Sequence, residues 1–248
     1  MQQSWALVIG ATLLFPSTGL PCLAQAVQNV PRSATAAKQE AEARAAADRI
    51  LDAVRRRDGN ARYAMFSEDL KQTSSPGMVQ TTLDGLPKLE SWKINRVYTS
   101  LRGNSTVEVT LNTAAGPRQV SLVINPQGQL VAQLINAKGQ PSTQVAEAFV
   151  KAVSQGQFIT ARSFLSLDLQ KEIPPASLQR KWLDLQARVG TFKRIEGVKE
   201  AESDNNSKLV LVSISFTRLT DNLFLIVNNS NQIIGVDFPV DATVKPVR

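Results

Sequence analysis

No histidine occurs anywhere in the 248 residues, and there is one cysteine, Cys22. Without imidazole there is no Ser-His-Asp or Cys-His catalysis and no histidine metal ligand. A single cysteine excludes an intrachain disulfide framework and a thiolate zinc cluster. The glycine-rich phosphate and dinucleotide loops, the G-x-S-x-G elbow and the S-x-x-K spacing are missing too. No catalytic residue, cofactor site or metal site is therefore assigned. Long apolar runs are also absent after Phe15, so no later segment reads as a transmembrane helix. What remains is an ordinary folded composition: 43% apolar residues, and 28 basic against 21 acidic side chains for a net charge of +7.

The N-terminus reads as an export signal. Trp5 to Phe15 is uncharged and mainly apolar, and too short to span a bilayer. Pro16, Gly19 and Pro21 follow, and then Ala24-Gln25-Ala26, an A-x-A cleavage pattern. The expected basic residue before the apolar run is missing, which leaves an uncleaved anchor as the alternative. Cys22 follows Pro21 rather than a small residue, so it reads as part of the leader and not as a lipidation site. Cleavage after Ala24 or Ala26 gives an exported product, periplasmic or extracellular, with no transmembrane anchor. The expected layout is a signal peptide over 1–26, a flexible lead-in over 27–40, one repeat over 41–137, a linker over 138–142, a second repeat over 143–240, and a tail over 241–248.

The case for two repeats is internal. At a shift of 99 residues, Ile50 to Val54 lies over Phe149 to Val153, Met65-Phe66 over Phe164-Leu165, and Pro76 over Pro175. The tail matches at a shift of 103, with Val123-Ile124-Asn125 over Ile226-Val227-Asn228 and Gln129-Leu130-Val131 over Gln232-Ile233-Ile234. Growth of the shift by four residues fits loop insertion.

Each repeat runs helices first and strands second. In the second, Ser142 is the expected cap of a helix with Val145, Ala148, Phe149, Ala152 and Val153 on one face, stopped by Gly156. Phe158–Leu169 reads as a second helix. Pro174-Pro175 opens a third, whose stripe is Leu178, Trp182, Leu185 and Val189, ending at Gly190. The period then changes to two, giving strands near Phe192–Lys199, Lys208–Leu219, Leu223–Asn228 and Gln232–Phe238. The first repeat repeats the plan, with strands near Lys93–Leu101, Thr106–Thr113, Arg118–Asn125 and Gln129–Asn136. The fold class is α+β, two repeated cone-shaped domains, each with three helices on a curled four-stranded antiparallel sheet.

The second repeat resembles the bacterial secreted domains of unknown function in the nuclear transport factor 2-like superfamily. Ala148-Phe149, Gly156-Gln157-Phe158, Ala161, Phe164-Leu165, Pro174, Leu178, Trp182 and Gly190-Thr191-Phe192 carry the resemblance. The first repeat departs from it, with Leu83 in place of Trp182 and Leu89-Glu90-Ser91-Trp92 in place of the glycine turn. The resemblance implies a cavity between helices and sheet and a binding or spacer role, and it supplies no catalytic motif. Fold likeness alone does not fix function.

Three constellations are candidates. Asp69 and Asp168 recur at the same place in each repeat. On a continuous Phe158–Leu169 helix, Asp168 would fall about 40° from Phe164 and about 60° from Leu165, inside the apolar arc. A carboxylate there would have a raised pKa and act as a base. If the helix instead ends near Ser166, the Asp turns outward or caps the next segment. Trp182 either lines a ligand pocket beside these carboxylates or fills the core. Arg55, Arg56 and Arg57 either complement a helix C-terminus or form an anion-binding face. Glu200, Glu202 and Asp204 alternate on one strand face, as calcium ligands or as a polar turn. Taken together these point to a non-catalytic binding module of the cell envelope, with an unknown protein or envelope component as partner. The alternative is an isomerase- or dehydratase-like enzyme acting on a small apolar ligand through a buried Asp. Nucleic acid is not an expected partner.

Overall fold

Ala43, Ala46, Ala47, Ile50, Leu51 and Ala53 recur at helical spacing, and all are buried in the computed structural model. The described residues are 34–99, 103–204 and 206–238. The expected signal peptide, its expected cleavage site and the expected tail over 241–248 lie outside them. Alanine on this face lets helix α1 (Ala34–Arg55) approach the first sheet closely. It starts inside the expected lead-in, so residues 34–40 are helical. Alanine and long polar side chains propagate a helix, and no Pro or Gly stops it before Gly59.

Short helices α2 (Gly59–Ala64), α3 (Glu68–Gln72) and α4 (Pro76–Gly85) follow. Strands β1 (Leu89–Thr99), β2 (Ser105–Thr113), β3 (Gly116–Ile124) and β4 (Leu130–Ile135) then pair in chain order as an antiparallel meander. The second repeat is built alike. Its helices are α5 (Ser142–Ser154), α6 (Phe158–Arg162), α7 (Leu167–Glu172) and α8 (Pro175–Val189). Its strands are β5 (Phe192–Ser203), β6 (Ser207–Phe216), β7 (Thr220–Asn228) and β8 (Ile233–Asp237). Each repeat is thus an α+β layer with helices on one face of a four-stranded sheet. The helices number four per repeat, not three. Phe158–Leu169 is broken because Ser166 caps a new helix, its Oγ accepting from Leu169 N at 3.3 Å. Ser142 is not the α5 cap. It lies buried in the first turn and donates to Glu200 Oε2 at 2.8 Å.

The duplication reaches details no propensity dictates. Isolated parallel bridges join Phe66 to Leu130 and Leu165 to Ile233, the same pair displaced by the two shifts seen in sequence. Bulges fall at Val123/Ile124 and at Ile226/Val227. Asn125 Oδ1 accepts from Gln127 N and Gln129 N, as Asn228 Oδ1 accepts from Ser230 N and Gln232 N. Left-handed residues close the first helix of each repeat, Arg57 at φ 55° and Gly156 at φ 73°. In both, an amide one residue further on reaches back into the helix, Asp58 N to Ala53 O and Gln157 N to Ala152 O.

Each repeat has its own core. Phe149, Leu178, Trp182, Leu185, Val212 and Leu225 belong to one buried cluster, and Ile50, Phe66, Val79, Leu83, Val109 and Leu122 to the other. The repeats nevertheless meet. Ile159 of α6 packs into the first core, while Met78 and Ile135 touch both. The free edge of β4 is covered by the second repeat: Ile135 N donates to Ser163 O at 2.8 Å, and Gln170 Nε2 to Gln133 O at 3.0 Å. An edge strand's backbone groups need such partners when buried.

Candidate functional site

The pocket built on Asp69, Asp168 and Trp182 does not form. Asp69 and Asp168 sit in the first turns of α3 and α7 and point to solvent, Asp168 with 89% of its side chain exposed. The cause is the helix break, since an acidic residue just after a serine cap favours the positive end of the new helix. Lys171 Nζ lies 2.7 Å from Asp168 Oδ1. That hydrogen bond, reinforced by the ammonium charge, holds the Asp168 carboxyl below the usual range, opposite to what a cavity base needs. Trp182 is 2% exposed, with Phe192 and Phe216 rings at 6.0 and 5.9 Å. It is a core residue. The enzyme alternative loses both its carboxylates.

The three arginines are also engaged. Arg55 Nη2 and Arg56 Nε reach the two oxygens of Asp52 at 2.6 and 2.9 Å, and Arg55 lies over the Trp92 ring at 5.5 Å. The hydrogen bonds from Arg55 and then Arg56 depress the Asp52 pKa. Arg57 turns away from both. Its Nη1 donates to Leu83 O at 2.8 Å and Asp84 O at 3.2 Å, and its Nη2 to Leu86 O at 2.8 Å. It therefore caps the C-terminal end of α4, a different helix from its own. The arginines do complement helix dipoles and local carboxylates, and they present no shared anion face.

The acidic run at the end of β5 splits. A bulge between Glu200 and Glu202 sets Glu200 opposite Val210 and Glu202 opposite Leu209, so the two carboxylates leave opposite faces of the sheet. Glu200 bonds Ser142 and Lys208 on the helix side, which lowers its pKa. Asp204 Oδ1 accepts from the amides of Asn206 and Ser207, a side-chain-closed turn that holds its pKa low. Among the described residues no group of acidic, cysteine or histidine side chains is arranged to hold a metal.

Two surfaces were not singled out in the sequence. The first is the side of the second sheet that faces away from the helices. Antiparallel register puts Leu209 beside Ile226 and Leu211 beside Phe224, with Gly235 next to Ile226. Phe224 and Ile226 are 40% and 41% exposed. A shallow hollow of about 490 Å³ lies over Leu209, Phe224, Ile226 and Gly235. Asp237 stands on one side and Glu202 and Asp204 in the adjoining hollow, while Lys199 lies beside Leu211. The signal was present in the strand KLVLVSISF, where apolar residues occupy both parities instead of alternating. The second surface is a crevice of about 600 Å³ between the first sheet and α5. Arg118 and Lys138 line it with Gln140 and Gln144, over Ile135 and Phe164, and among the described residues that line it none is acidic.

Comparison with known proteins gives a family match over part of the chain and no activity. Residues 146–236 match a family described as proteins of unknown function, DUF3887. The match lies wholly within the second repeat, the one whose sequence carries the resemblance noted above. No curated protein matches the chain. A solved structure, a cystatin-like protein from Ruminococcus gnavus ATCC 29149, is similar at 9% identity over 84% of this chain and 92% of that one, with a TM-score of 0.29. Among the described residues no helix is long and apolar enough to cross a membrane.

Proposed function

We propose that the protein is an exported, non-catalytic binding module that engages a partner protein through the outer face of its second sheet. One observation carries the reading. Leu209, Leu211 and Phe224 occupy the places where the first sheet, at the shift of 103, has Thr106, Glu108 and Ser121. The β2–β3 and β6–β7 pairs have the same register, so the fold does not require apolar side chains at these three places, while at a fourth Val123 and Ile226 are apolar in both. An exposed apolar strip on one of two like sheets marks a contact surface. The carboxylates of Asp237, Glu202 and Asp204 around its Leu209–Ile226 end, in a chain of net charge +7, suit a partner whose apolar centre carries Lys or Arg on that side. Export is supported by the Trp5–Phe15 run and the Ala24-Gln25-Ala26 pattern, and extension of the nuclear transport factor 2-like reading to the first repeat by the shared bridges and bulges.

A photo-crosslinking side chain at Phe224 in the exporting cell tests the surface. The expected product is a discrete adduct whose added mass is not that of a second copy, lost on Ile226→Asp, and absent when the crosslinker is at Glu108. A copy-sized adduct, or equal yields from both positions, overturns the reading. N-terminal sequencing of the envelope fraction tests export, with a start at Gln25 or Val27 expected.

A further inference from the structure

The crevice of about 600 Å³ between the first sheet and α5 is lined by both repeats. Arg118 and Gln119 of β3 and the turn after β4 form one side, Gln144 and Ala148 of α5 the other, with Ile135 and Phe164 beneath. Its polar groups are mainly donors. Asn136 N and Nδ2 donate to Gln119 O and Oε1 at 2.9 and 3.0 Å, and Lys138 N donates to Asn136 Oδ1 at 3.0 Å. Both side-chain carbonyls of that pair are thus engaged, which leaves Gln119 Nε2 as a donor. Arg118 and Lys138 stand one and two residues from the bonded pair, so the same link holds both cations at this crevice. Neither the guanidinium nor the ammonium has an ion pair or hydrogen bond among the described residues. The fold does not ask for this charge. At the shift of 103, Arg118 corresponds to Asp221, which lies opposite Ile214 in the register where Arg118 lies opposite Leu111. Free cations and an amide donor beside apolar side chains, in a concave site, match an anion with an apolar body.

We propose that this crevice binds a small organic anion in which a carboxylate or phosphate adjoins an apolar chain. The head group accepts hydrogen bonds from Arg118, Lys138 and Gln119 Nε2, and the chain lies against Ile135, Ala148 and Phe164. The site shares no residue with the hollow on the outer face of the second sheet, so it stands or falls independently of that contact surface.

Titration of the full chain with sodium octanoate, followed by amide and methyl NMR, tests the site. Saturable shifts are expected at the Gln119, Lys138 and Gln144 amides and at the Ile135 and Ala148 methyls. Octanamide lacks the charge and acetate lacks the chain, and each should bind about tenfold more weakly or worse. Octyl phosphate separates the two head groups: tighter saturable binding than octanoate at these residues assigns a phosphate, weaker binding a carboxylate. Arg118→Asp installs the charge that the second repeat carries at the same place, so it should fold with unchanged Tm and weaken octanoate about tenfold. Lys138→Gln, on an exposed turn, should weaken it about threefold. Should Arg118→Asp fail to fold, Lys138→Gln and the octanamide comparison decide. The proposal is overturned by octanamide binding as tightly as octanoate, by undiminished binding in the variants, or by shifts confined to Phe224 and Ile226. The last result would mark adventitious apolar binding on the outer sheet face.

Discussion

The two repeats agree on their inner faces and differ at most places on their outer ones, Val123 and Ile226 being apolar in both. Inside, Val107, Val109 and Leu122 of the first sheet correspond to Val210, Val212 and Leu225 of the second, and all are buried. Outside, polar Thr106, Glu108 and Ser121 face apolar counterparts in Leu209, Leu211 and Phe224. The edge strands differ too, since β4 is sealed by the second repeat through Ser163 and Gln170. The core is constrained by packing in both copies. Surfaces are constrained by what they meet, so divergence there is what the proposed contact surface on the second copy would leave.

The sharpest test of the shared core is at the position where the repeats hold Leu83 and Trp182. Trp182→Ala removes a buried indole from between Phe192 and Phe216 and is expected to cost about 3–5 kcal/mol. Leu83→Ala, 1% exposed, is expected to cost about 2–3 kcal/mol. Urea unfolding measures both. A Trp182→Ala protein of unchanged stability would mean that the indole lines an open pocket after all.

Next in size is the dependence of one repeat on the other. A chain from Gln140 to Arg248 keeps the whole second core and is expected to unfold cooperatively in urea. Its midpoint should lie below that of the full chain. It loses the Gln133 and Thr73 carbonyls as hydrogen-bond acceptors and exposes Ile159, 6% exposed in the full chain. Absence of any cooperative transition would break the two-domain reading.

The left-handed helix ends give a smaller comparison with opposite chemistry at one place. Gly156→Ala meets nothing closer than Thr81 Cγ2 at 3.7 Å, so its expected cost of about 1–2 kcal/mol is backbone strain alone. Arg57→Gly relieves that same strain yet gives up three hydrogen bonds from a charged donor to the end of α4. A net loss of about 1–2 kcal/mol is expected. Stabilisation by Arg57→Gly, measured by thermal unfolding, would show that capping α4 contributes little.

How much of this was legible follows from the range of each signal. The α5 face and the α8 stripe were readable because Val145, Phe149, Leu178 and Trp182 repeat at local spacing. The duplication was readable because Phe66/Leu165 and Leu130/Ile233 keep their order. The break before α7 was signalled by Ser166 ahead of Leu167-Asp168, a cap followed by an acidic first turn, and by Ser67 ahead of Glu68-Asp69. A continuous helix ignores that punctuation. Burial of Arg62 and Gln170 was not legible. Both are polar residues in short helices, and only the docking of α6 and α7 onto β4 takes them out of water.

The smallest expected effect bears most directly on chemistry. In an enzyme reading, Asp168 would titrate above the ordinary carboxylate value; in the observed fold the Lys171 hydrogen bond depresses it. The linkage has a definite sign. A carboxyl with a folded pKa below its unfolded one stabilises the fold above the unfolded pKa, and that contribution is lost as pH falls through the folded value. Asp168 is fully exposed, so the contribution is weak and salt-screened, and thermal unfolding will not resolve it. Carboxyl-carbon NMR will. The Asp168 midpoint should lie below the ordinary value of about 3.9, move up towards it in Lys171→Met, and move up in high salt. Glu200, held mainly by Ser142, should shift with Ser142→Ala and not with Lys171→Met. An Asp168 midpoint well above the ordinary value would return the carboxylate to a desolvated site and reopen general-base chemistry in the second repeat.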